Sequence, residues 1–153
     1  RIAKKGEPVI HAPDDLISLG RASKICAGKG VSILVCGRQL SNALLAASAL
    51  RKDNINCCLL SFHTIKPLDK PAIIKAAKET KGIVAVEEHF KNGGLGTAVA
   101  ETLAREGLSV PFVSIGIDDE FPKGSGSQEY FLKKYGLTPE GITGAVNKIL
   151  RRE

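Results

Sequence analysis

Apolar residues occur along this chain in short continuous runs, and the segments between the runs carry apolar residues at helical spacing. Continuous runs that are bounded by glycine or polar residues are typical of strands buried on both faces of a sheet. The pattern therefore predicts central strands at Val31–Cys36, Cys57–Phe62, Ile83–Val86 and Val110–Ile115. A shorter edge strand is predicted at Arg21–Cys26.

The segments between and after these strands are predicted to be helices. One of them, Gln39–Arg51, is predicted to be amphipathic, and another, Leu95–Glu106, is predicted to follow the glycine loop. Two others have start signals, because Asp69 and Thr138 are N-cap residue types and each is followed by a proline in the first turn. A short helix is predicted at Ser127–Tyr135.

Strands and helices thus alternate, with short connections between them. This alternation predicts an α/β fold, a three-layer α/β/α sandwich around a mostly parallel sheet of four or five strands. Residues 1–15 contain Pro8 and Pro13 and look like a linker from a preceding domain, so the domain itself is predicted to cover residues 16–153. The chain contains no methionine and begins with Arg1, which indicates a piece of a longer product.

The amino-acid composition limits the kinds of partner that the chain is expected to bind. The chain has 153 residues and a formal net charge of +6, which is compatible with an anionic partner. Its basic residues are scattered, only 5% of residues are aromatic and tryptophan is absent, so nucleic-acid binding is not expected. No apolar run reaches the roughly 20 residues of a membrane helix, so no membrane association is expected. The four cysteines form no C-x-x-C pair and are predicted to be reduced thiols of a cytoplasmic protein.

The stretch with the most candidate chemistry follows the predicted strand Ile83–Val86. In open α/β sheets, ligands and partners gather beyond the carboxyl ends of the strands. The residues that we single out there as an interface or an anion-binding loop are Glu88, His89, Asn92, Gly93, Gly94 and Gly96, directly after Glu87. The loop amides at the start of the next helix are suited to hold an anion.

Other interpretations of this stretch have less support. A dinucleotide fingerprint would need a third glycine at the position of Val99, so the glycines are better explained by a close approach of loop and helix to a neighbour. A metal site would combine His89 with His63, which follows the strand that we expect to lie beside it, but no closely spaced pair of ligands is present and no metal is predicted. No nucleophile motif occurs. The residues alone give an α/β domain without a catalytic constellation, and a stand-alone module that binds a nucleotide or another anion is one hypothesis for it.

Three segments together resemble one family: Ser61–Asp69, Ile83–Glu101 and Gly124–Ile142. In order and spacing they are similar to the C-terminal domain of transketolases, including split forms in which this domain ends a separate small subunit. A strand that ends in Glu-Glu before a glycine loop is shared with deoxyxylulose-phosphate synthase and with the β subunits of 2-oxoacid dehydrogenases. The phrases at Thr64–Asp69 and Tyr135–Ile142 favour transketolase over both.

The resemblance implies that the chain is part of an enzyme of the pentose phosphate pathway type, which transfers a two-carbon ketol unit from a ketose phosphate to an aldose phosphate. It implies thiamine diphosphate and Mg2+ in the full enzyme, held by preceding domains on the same chain or on a partner subunit, and a homodimer of the full enzyme. This chain is itself expected to bind neither group and to hold no catalytic residue. In the family, an arginine at the end of the middle domain grips the substrate phosphate, and Arg1 would correspond to it, although Lys4 replaces the second arginine of that segment. Deoxyxylulose-phosphate synthase is the alternative parent enzyme.

Overall fold

The computed structural model describes residues 8–121 and 124–151. Within these ranges the chain forms five strands, β1 (Ser23–Cys26), β2 (Ser32–Cys36), β3 (Cys58–Ser61), β4 (Ile83–Phe90) and β5 (Phe112–Ile117). The same ranges hold five helices, α1 (Leu40–Lys52), α2 (Lys70–Glu79), α3 (Leu95–Arg105), α4 (Gln128–Lys134) and α5 (Pro139–Leu150), with a 3-10 turn at Gly37–Gln39 before α1. Each predicted strand and helix is present. None of the described helices is long and apolar enough to cross a lipid bilayer.

The strands form one sheet in the order β1-β3-β2-β4-β5. The central strand β2 pairs in parallel with β3 and β4, and β4 pairs in parallel with β5. Strand β1 is antiparallel to β3 and lies at the edge. The predicted mostly parallel sheet and the edge position of its first strand are therefore confirmed.

Helices cover both faces of the sheet and give the fold its three layers. On one face, α1 and α5 pack on the strands through a cluster that includes Leu50 and Val146. On the other face, α2 and α3 pack through a second cluster that includes Ile73 and Val99. Every residue of β2 is buried between these layers. Burial on both faces explains why this strand is a continuous apolar run rather than an alternating one.

Strand β4 extends beyond its predicted end at Val86 and continues to Phe90. Its first five residues are buried and its last two are exposed. Phe90 pairs with Ile117 of β5 after a shift in register. The apolar pattern does not reveal this extension, because it begins with the polar residues Glu87, Glu88 and His89, which carry no hydrophobic signal. Residues 87–89 therefore lie on the strand itself, not in the loop that follows it.

Both predicted helix N-caps are confirmed. Asp69 Oδ1 accepts a hydrogen bond from the amide of Ala72 at 3.1 Å, and Thr138 Oγ1 accepts one from the amide of Gly141 at 3.2 Å. Asp69 has a second contact, because its Oδ2 accepts a hydrogen bond from the amide of Ala22 at 2.8 Å. This carboxylate thus joins the start of α2 to the segment before β1.

We expect Asp69→Ala to lower the free energy of unfolding by about 2 kcal/mol, because it removes a cap worth about 1 kcal/mol and also leaves the Ala22 amide without its acceptor. The matched variant Thr138→Ala removes a cap alone and should cost about 1 kcal/mol. Urea denaturation of both variants measures the difference. Equal losses would show that the bond to Ala22 contributes nothing.

Candidate functional site

The centre of the sheet's carboxyl edge, between β2 and β4, is where a fold of this kind offers a binding crevice. The chain leaves β2 into α1 on one face of the sheet, and it leaves β4 into α3 on the other face. Two adjacent parallel strands whose helices go to opposite faces define a topological switch point, and ligands of open α/β sheets bind there. Arg38 follows β2 and Glu88 lies near the end of β4, so both belong to this crevice.

The crevice is bridged by side chains of the chain itself. Gln128, the first residue of α4, donates a hydrogen bond from Nε2 to Glu88 Oε1 at 2.6 Å. The Oε1 atom of Gln128 accepts a hydrogen bond from the guanidinium of Arg38. Hydrogen bonds to charged groups are stronger than neutral ones, so this network ties α4 to β4 and to the turn after β2.

Glu87 is a buried carboxylate, 3% exposed, beside the start of α3. Its Oε1 accepts a hydrogen bond from the amide of Gly96 at 2.9 Å. That amide is one of the donors that a helix leaves without an internal partner at its N-terminus, where the helix dipole also favours negative charge. The chain's own carboxylate therefore takes the position that the sequence suggested for an external anion.

The loop glycines allow this close approach. A Cβ on Gly94 would lie 2.3 Å from both carboxylate oxygens of Glu87, and a Cβ on Gly96 would lie 2.2 Å from Ser114 Oγ on β5. Gly93 differs, since a Cβ there would meet open space but the backbone has a φ of +80°, which glycine adopts most readily. Tight packing and backbone conformation thus account for the three glycines without a phosphate-binding fingerprint.

The outer residues of the predicted site form an exposed surface, which we call the edge surface: His89, Phe90, Asn92 and Gly93. The backbone beneath it is held by polar contacts to the loop after β5. Lys91 Nζ lies 2.6 Å from Asp118 Oδ1, and Asn92 Nδ2 donates a hydrogen bond to Asp119 Oδ2 at 3.3 Å. Phe90 is 41% exposed. Exposed aromatic side chains within a polar rim are typical of protein–protein contacts.

The residues that the sequence singled out thus differ in their surroundings: some have contacts within the chain, and others are exposed to solvent. Gly94 and Gly96 are buried against the strands, and Glu88 belongs to the network with Gln128. His89, Asn92 and Gly93 are exposed. Arg1 lies outside the described residues.

The expectation that His63 and His89 lie on neighbouring strands is wrong. His63 follows β3 and His89 lies on β4, and β2 separates these two strands in the sheet. His63 Nδ1 lies instead 2.8 Å from Thr64 Oγ1. Across residues 8–121 and 124–151, no three His, Cys, Asp or Glu side chains are grouped so that they could hold a metal ion.

The four cysteines are free thiols, as predicted. Burial raises the pKa of the Cys57 and Cys58 thiols above its ordinary value. A raised pKa lowers the fraction of thiolate, which is the nucleophilic form. The raised pKa therefore gives neither thiol the character of an activated nucleophile.

Sequence patterns do not single out Gln128 or Arg38. Gln128 is separated from Glu88 by 40 positions and from Arg38 by 90, so no local spacing relates the three. The sequence gives only their positions in the predicted elements: Arg38 follows a strand that ends at the sheet's carboxyl edge, and Gln128 lies at the start of a helix. Their meeting depends on the tertiary fold.

Comparison with known families decides where this fold belongs. The family model described as "Transketolase, C-terminal domain" matches residues 20–142. The chain belongs to the transketolase C-terminal domain family. This assignment confirms the resemblance of the three sequence segments.

Relatives of this transketolase domain are longer proteins. The chain is 35% identical over its full length to the 6-deoxy-6-sulfo-D-fructose transketolase subunit of Clostridium sp. (strain MSTE9), of which it covers 47%. It is 33% identical, over 94% of its length, to 1-deoxy-D-xylulose-5-phosphate synthase of Syntrophotalea carbinolica, of which it covers 23%. The chain therefore spans about half, or less, of the curated relatives it matches.

A solved structure shares the fold. It is a split-gene transketolase described as an inactive β4 tetramer, and it is 35% identical to this chain. The match covers 97% of this chain and 48% of that chain, with a TM-score of 0.89. The α/β architecture is thus that of a transketolase C-terminal domain.

Proposed function

We propose that this chain is the C-terminal part of a transketolase-type enzyme that transfers a two-carbon ketol unit from a ketose phosphate to an aldose phosphate, and that it is not catalytic by itself. The observation that carries the proposal is a family match over most of the chain together with a length about half that of a transketolase subunit relative. The similar split-gene transketolase is described as an inactive assembly of β subunits, which agrees with a subunit that needs a partner for activity. The four free cysteines agree with a cytoplasmic enzyme.

In this proposal, the preceding domains hold the thiamine diphosphate and Mg2+. When bound there, the coenzyme supplies the thiazolium that stabilises the ketol carbanion. The residues of this chain do not fit that coenzyme: no described cluster of acidic or imidazole side chains suits a metal ion, and the Gly96 amide already donates to Glu87. We therefore assign no step of the reaction to the side chains of this chain.

The edge surface is the proposed contact with the preceding domains, on the same chain or on a partner subunit. An exposed Phe90 supplies apolar area, and the ion pair between Lys91 and Asp118 holds the backbone around it. The network of Glu88 and Gln128 fixes the strand end beneath the surface. In a homodimeric enzyme, this packing would also stabilise the dimer.

We expect Phe90→Asp to lower the ketol-transfer activity of the complete enzyme about tenfold, because a charge placed in an apolar contact loses its hydration without gaining a partner. The matched control is Leu45→Asp, since Leu45 is 60% exposed on α1 and lies outside the edge surface. Steady-state assays and thermal melts of both variants separate activity from stability. Full activity of Phe90→Asp would show that the edge surface is not a contact.

The linker and the phosphate contact complete the proposal. Residues 1–15 would connect the preceding domain to a domain at 16–153. Arg1, at the start of this linker, would bind the substrate phosphate, for which a guanidinium offers two parallel hydrogen bonds. Arg1 and Lys4 lie outside the described residues, so this part of the proposal draws on the sequence resemblance.

Deoxyxylulose-phosphate synthase is the second candidate for the parent enzyme, because a synthase of that kind is 33% identical to the chain. The complete enzyme distinguishes the two when it is assayed with xylulose 5-phosphate or with pyruvate as donor. Ketol transfer from xylulose 5-phosphate supports the transketolase proposal, and use of pyruvate instead supports the synthase. A stand-alone anion-binding module built on Gly93–Gly96 has less support than either, since Glu87 already accepts from the Gly96 amide.

A further inference from the structure

A cavity of about 480 Å³ lies between the edge strand β1 and helix α2. From the sheet it is lined by Leu60 and Cys58 of β3, and it reaches Ser32, the first residue of β2. Ala72 and Ala76 of α2 line one side, and β1 with the turn that follows it lines the other. Because Ser32 and Cys58 begin their strands, the cavity extends toward the amino edge of the sheet, away from the edge surface.

The cavity exists because α2 has small side chains beside the sheet at this point. Ala72 and Ala76 are four positions apart, so they lie on one face of the helix. On the sheet, Lys24 of β1 is opposite Leu60 of β3, and cross-strand partners point to the same face. That face is the one on which α2 packs. The two alanines thus leave the sheet uncovered beside β1.

The interior of the cavity is mainly apolar, and its hydroxyl groups are already bonded within the chain. Thr80 Oγ1 lies 3.0 Å from Ser32 Oγ and 2.8 Å from the carbonyl oxygen of Ala76. Among the described residues, none of the buried side-chain nitrogen and oxygen atoms that lack a hydrogen-bond partner lines this cavity. The interior therefore suits an apolar group that needs no polar partner.

The rim of the cavity is positively charged. Three lysines line it, Lys24, Lys29 and Lys75, against one acid, Glu79, and all four are exposed. Lys75 Nζ lies 3.8 Å from Glu79 Oε1, so these two charges compensate each other. Lys24 and Lys29 form no ion pair with another described residue. Two lysine charges at the rim are thus left for an anion from outside the chain.

We propose that this cavity binds a small amphipathic anion of the fatty-carboxylate kind, with its apolar part against Leu60 and the two alanines and its charge beside Lys24 and Lys29. The volume lies within the roughly 300–1,000 Å³ of small-molecule pockets, which are lined mainly by apolar side chains with a few polar groups that fix orientation. A strongly polar metabolite does not fit, because its polar groups would lose hydration against apolar walls. The site uses residues 22–80 and does not depend on the proposed ketol transfer.

The first test is a titration of the 153-residue chain with octanoate, followed by amide ¹H–¹⁵N NMR spectra at constant ionic strength and at concentrations where octanoate is monomeric. We expect saturable shifts at Lys24, Cys58 and Ala76, and none at Phe90 of the edge surface. Acetate has the charge without the chain, and octyltrimethylammonium has the chain with the opposite charge, so each should bind at least about tenfold more weakly. Equal binding of either compound and octanoate would overturn the proposed ligand class.

Two half-buried thiols give a second measurement. Cys58 lines this cavity, whereas Cys26 packs on the other face of the sheet and lines a different cavity. When about 90% of the chain is bound, octanoate should slow the alkylation of Cys58 by N-ethylmaleimide about tenfold, because only the free chain reacts. The rate at Cys26 should not change. Tandem mass spectra of the labelled peptides measure both rates, and equal slowing of the two thiols would contradict binding in this cavity.

Variants test the apolar and the charged part of the site separately. Ala72→Leu fills the space beside α2 and should raise the dissociation constant for octanoate about tenfold, whereas Ala100→Leu, at an exposed position of α3, should leave it unchanged. The double variant Lys24→Gln, Lys29→Gln should also raise it about tenfold. Lys78→Gln is its control, because Lys78 is exposed on α2 and does not line the cavity.

Thermal melts without octanoate establish that each variant is folded. The proposal is overturned if octanoate produces no saturable shifts in the unmodified chain. It is also overturned if folded Ala72→Leu binds octanoate as tightly as Ala100→Leu does, or if the double lysine variant binds it as tightly as Lys78→Gln does.

Discussion

Alanine at Gly94 is expected to destabilise the folded chain by about 3 kcal/mol. Its Cβ would lie 2.3 Å from both carboxylate oxygens of Glu87 and 2.5 Å from the carboxylate carbon. Glu87 has little room to move aside, because it is 3% exposed and its Oε1 is held by the Gly96 amide at 2.9 Å. The added methyl group must therefore displace either the carboxylate or the start of α3. Urea denaturation followed by circular dichroism measures the loss.

Gly144→Ala is the matched control for this substitution. Gly144 is an exposed residue in the interior of α5, and a Cβ there would have no neighbour within 4 Å. Alanine at this position should stabilise the chain by about 0.5–1 kcal/mol, because glycine is unfavourable in a helix interior. A Gly94→Ala variant as stable as the unmodified chain would contradict the packing of the loop against Glu87.

The second large effect is expected for Glu87→Ala, which should also lower the free energy of unfolding by about 3 kcal/mol. The substitution empties buried volume beside α3, leaves the Gly96 amide without its acceptor, and removes a negative charge from a helix N-terminus. Glu87→Gln keeps the shape and one acceptor oxygen, so it should cost less. Urea denaturation of both variants tests this order, and a loss below about 1 kcal/mol for alanine would rule out a structural role for the carboxylate.

The two substitutions should not be additive, because the clash of Gly94→Ala is with Glu87 itself. In the Glu87→Ala background, Gly94→Ala should cost less than about 1 kcal/mol. The double-mutant cycle thus measures the contact directly. Losses that simply add would place the clash elsewhere in the loop.

The fold is largely predictable from the sequence because its sheet is covered on both sides. Because helices cover both faces of the sheet, β2 is a continuous apolar run that the sequence reveals. The N-cap residues Asp69 and Thr138 mark the starts of their helices, because each caps a backbone amide only three residues away. Predictions of strand ends are less accurate. Strand β5 begins at Phe112 rather than Val110, because Pro111 contributes only its carbonyl to the sheet, as acceptor for the Ile83 amide.

The candidate site is only partly predictable, since its contacts depend on how the strands are ordered. The sequence places Glu87 and Glu88 side by side, but strand geometry sends neighbouring side chains to opposite faces, where one meets the Gly96 amide and the other meets Gln128. The wrong placement of His63 has the same origin. Strand order in the sheet differs from chain order, and β2 lies between β3 and β4.

The central claim is that this chain serves a thiamine diphosphate enzyme through packing and does not itself hold the coenzyme. Isothermal titration of the folded 153-residue chain with thiamine diphosphate and Mg2+, beside an intact transketolase as positive control, tests that claim most directly. We expect saturable heat for the intact enzyme and none for this chain. Saturable, micromolar binding of the coenzyme by the chain alone would contradict the account.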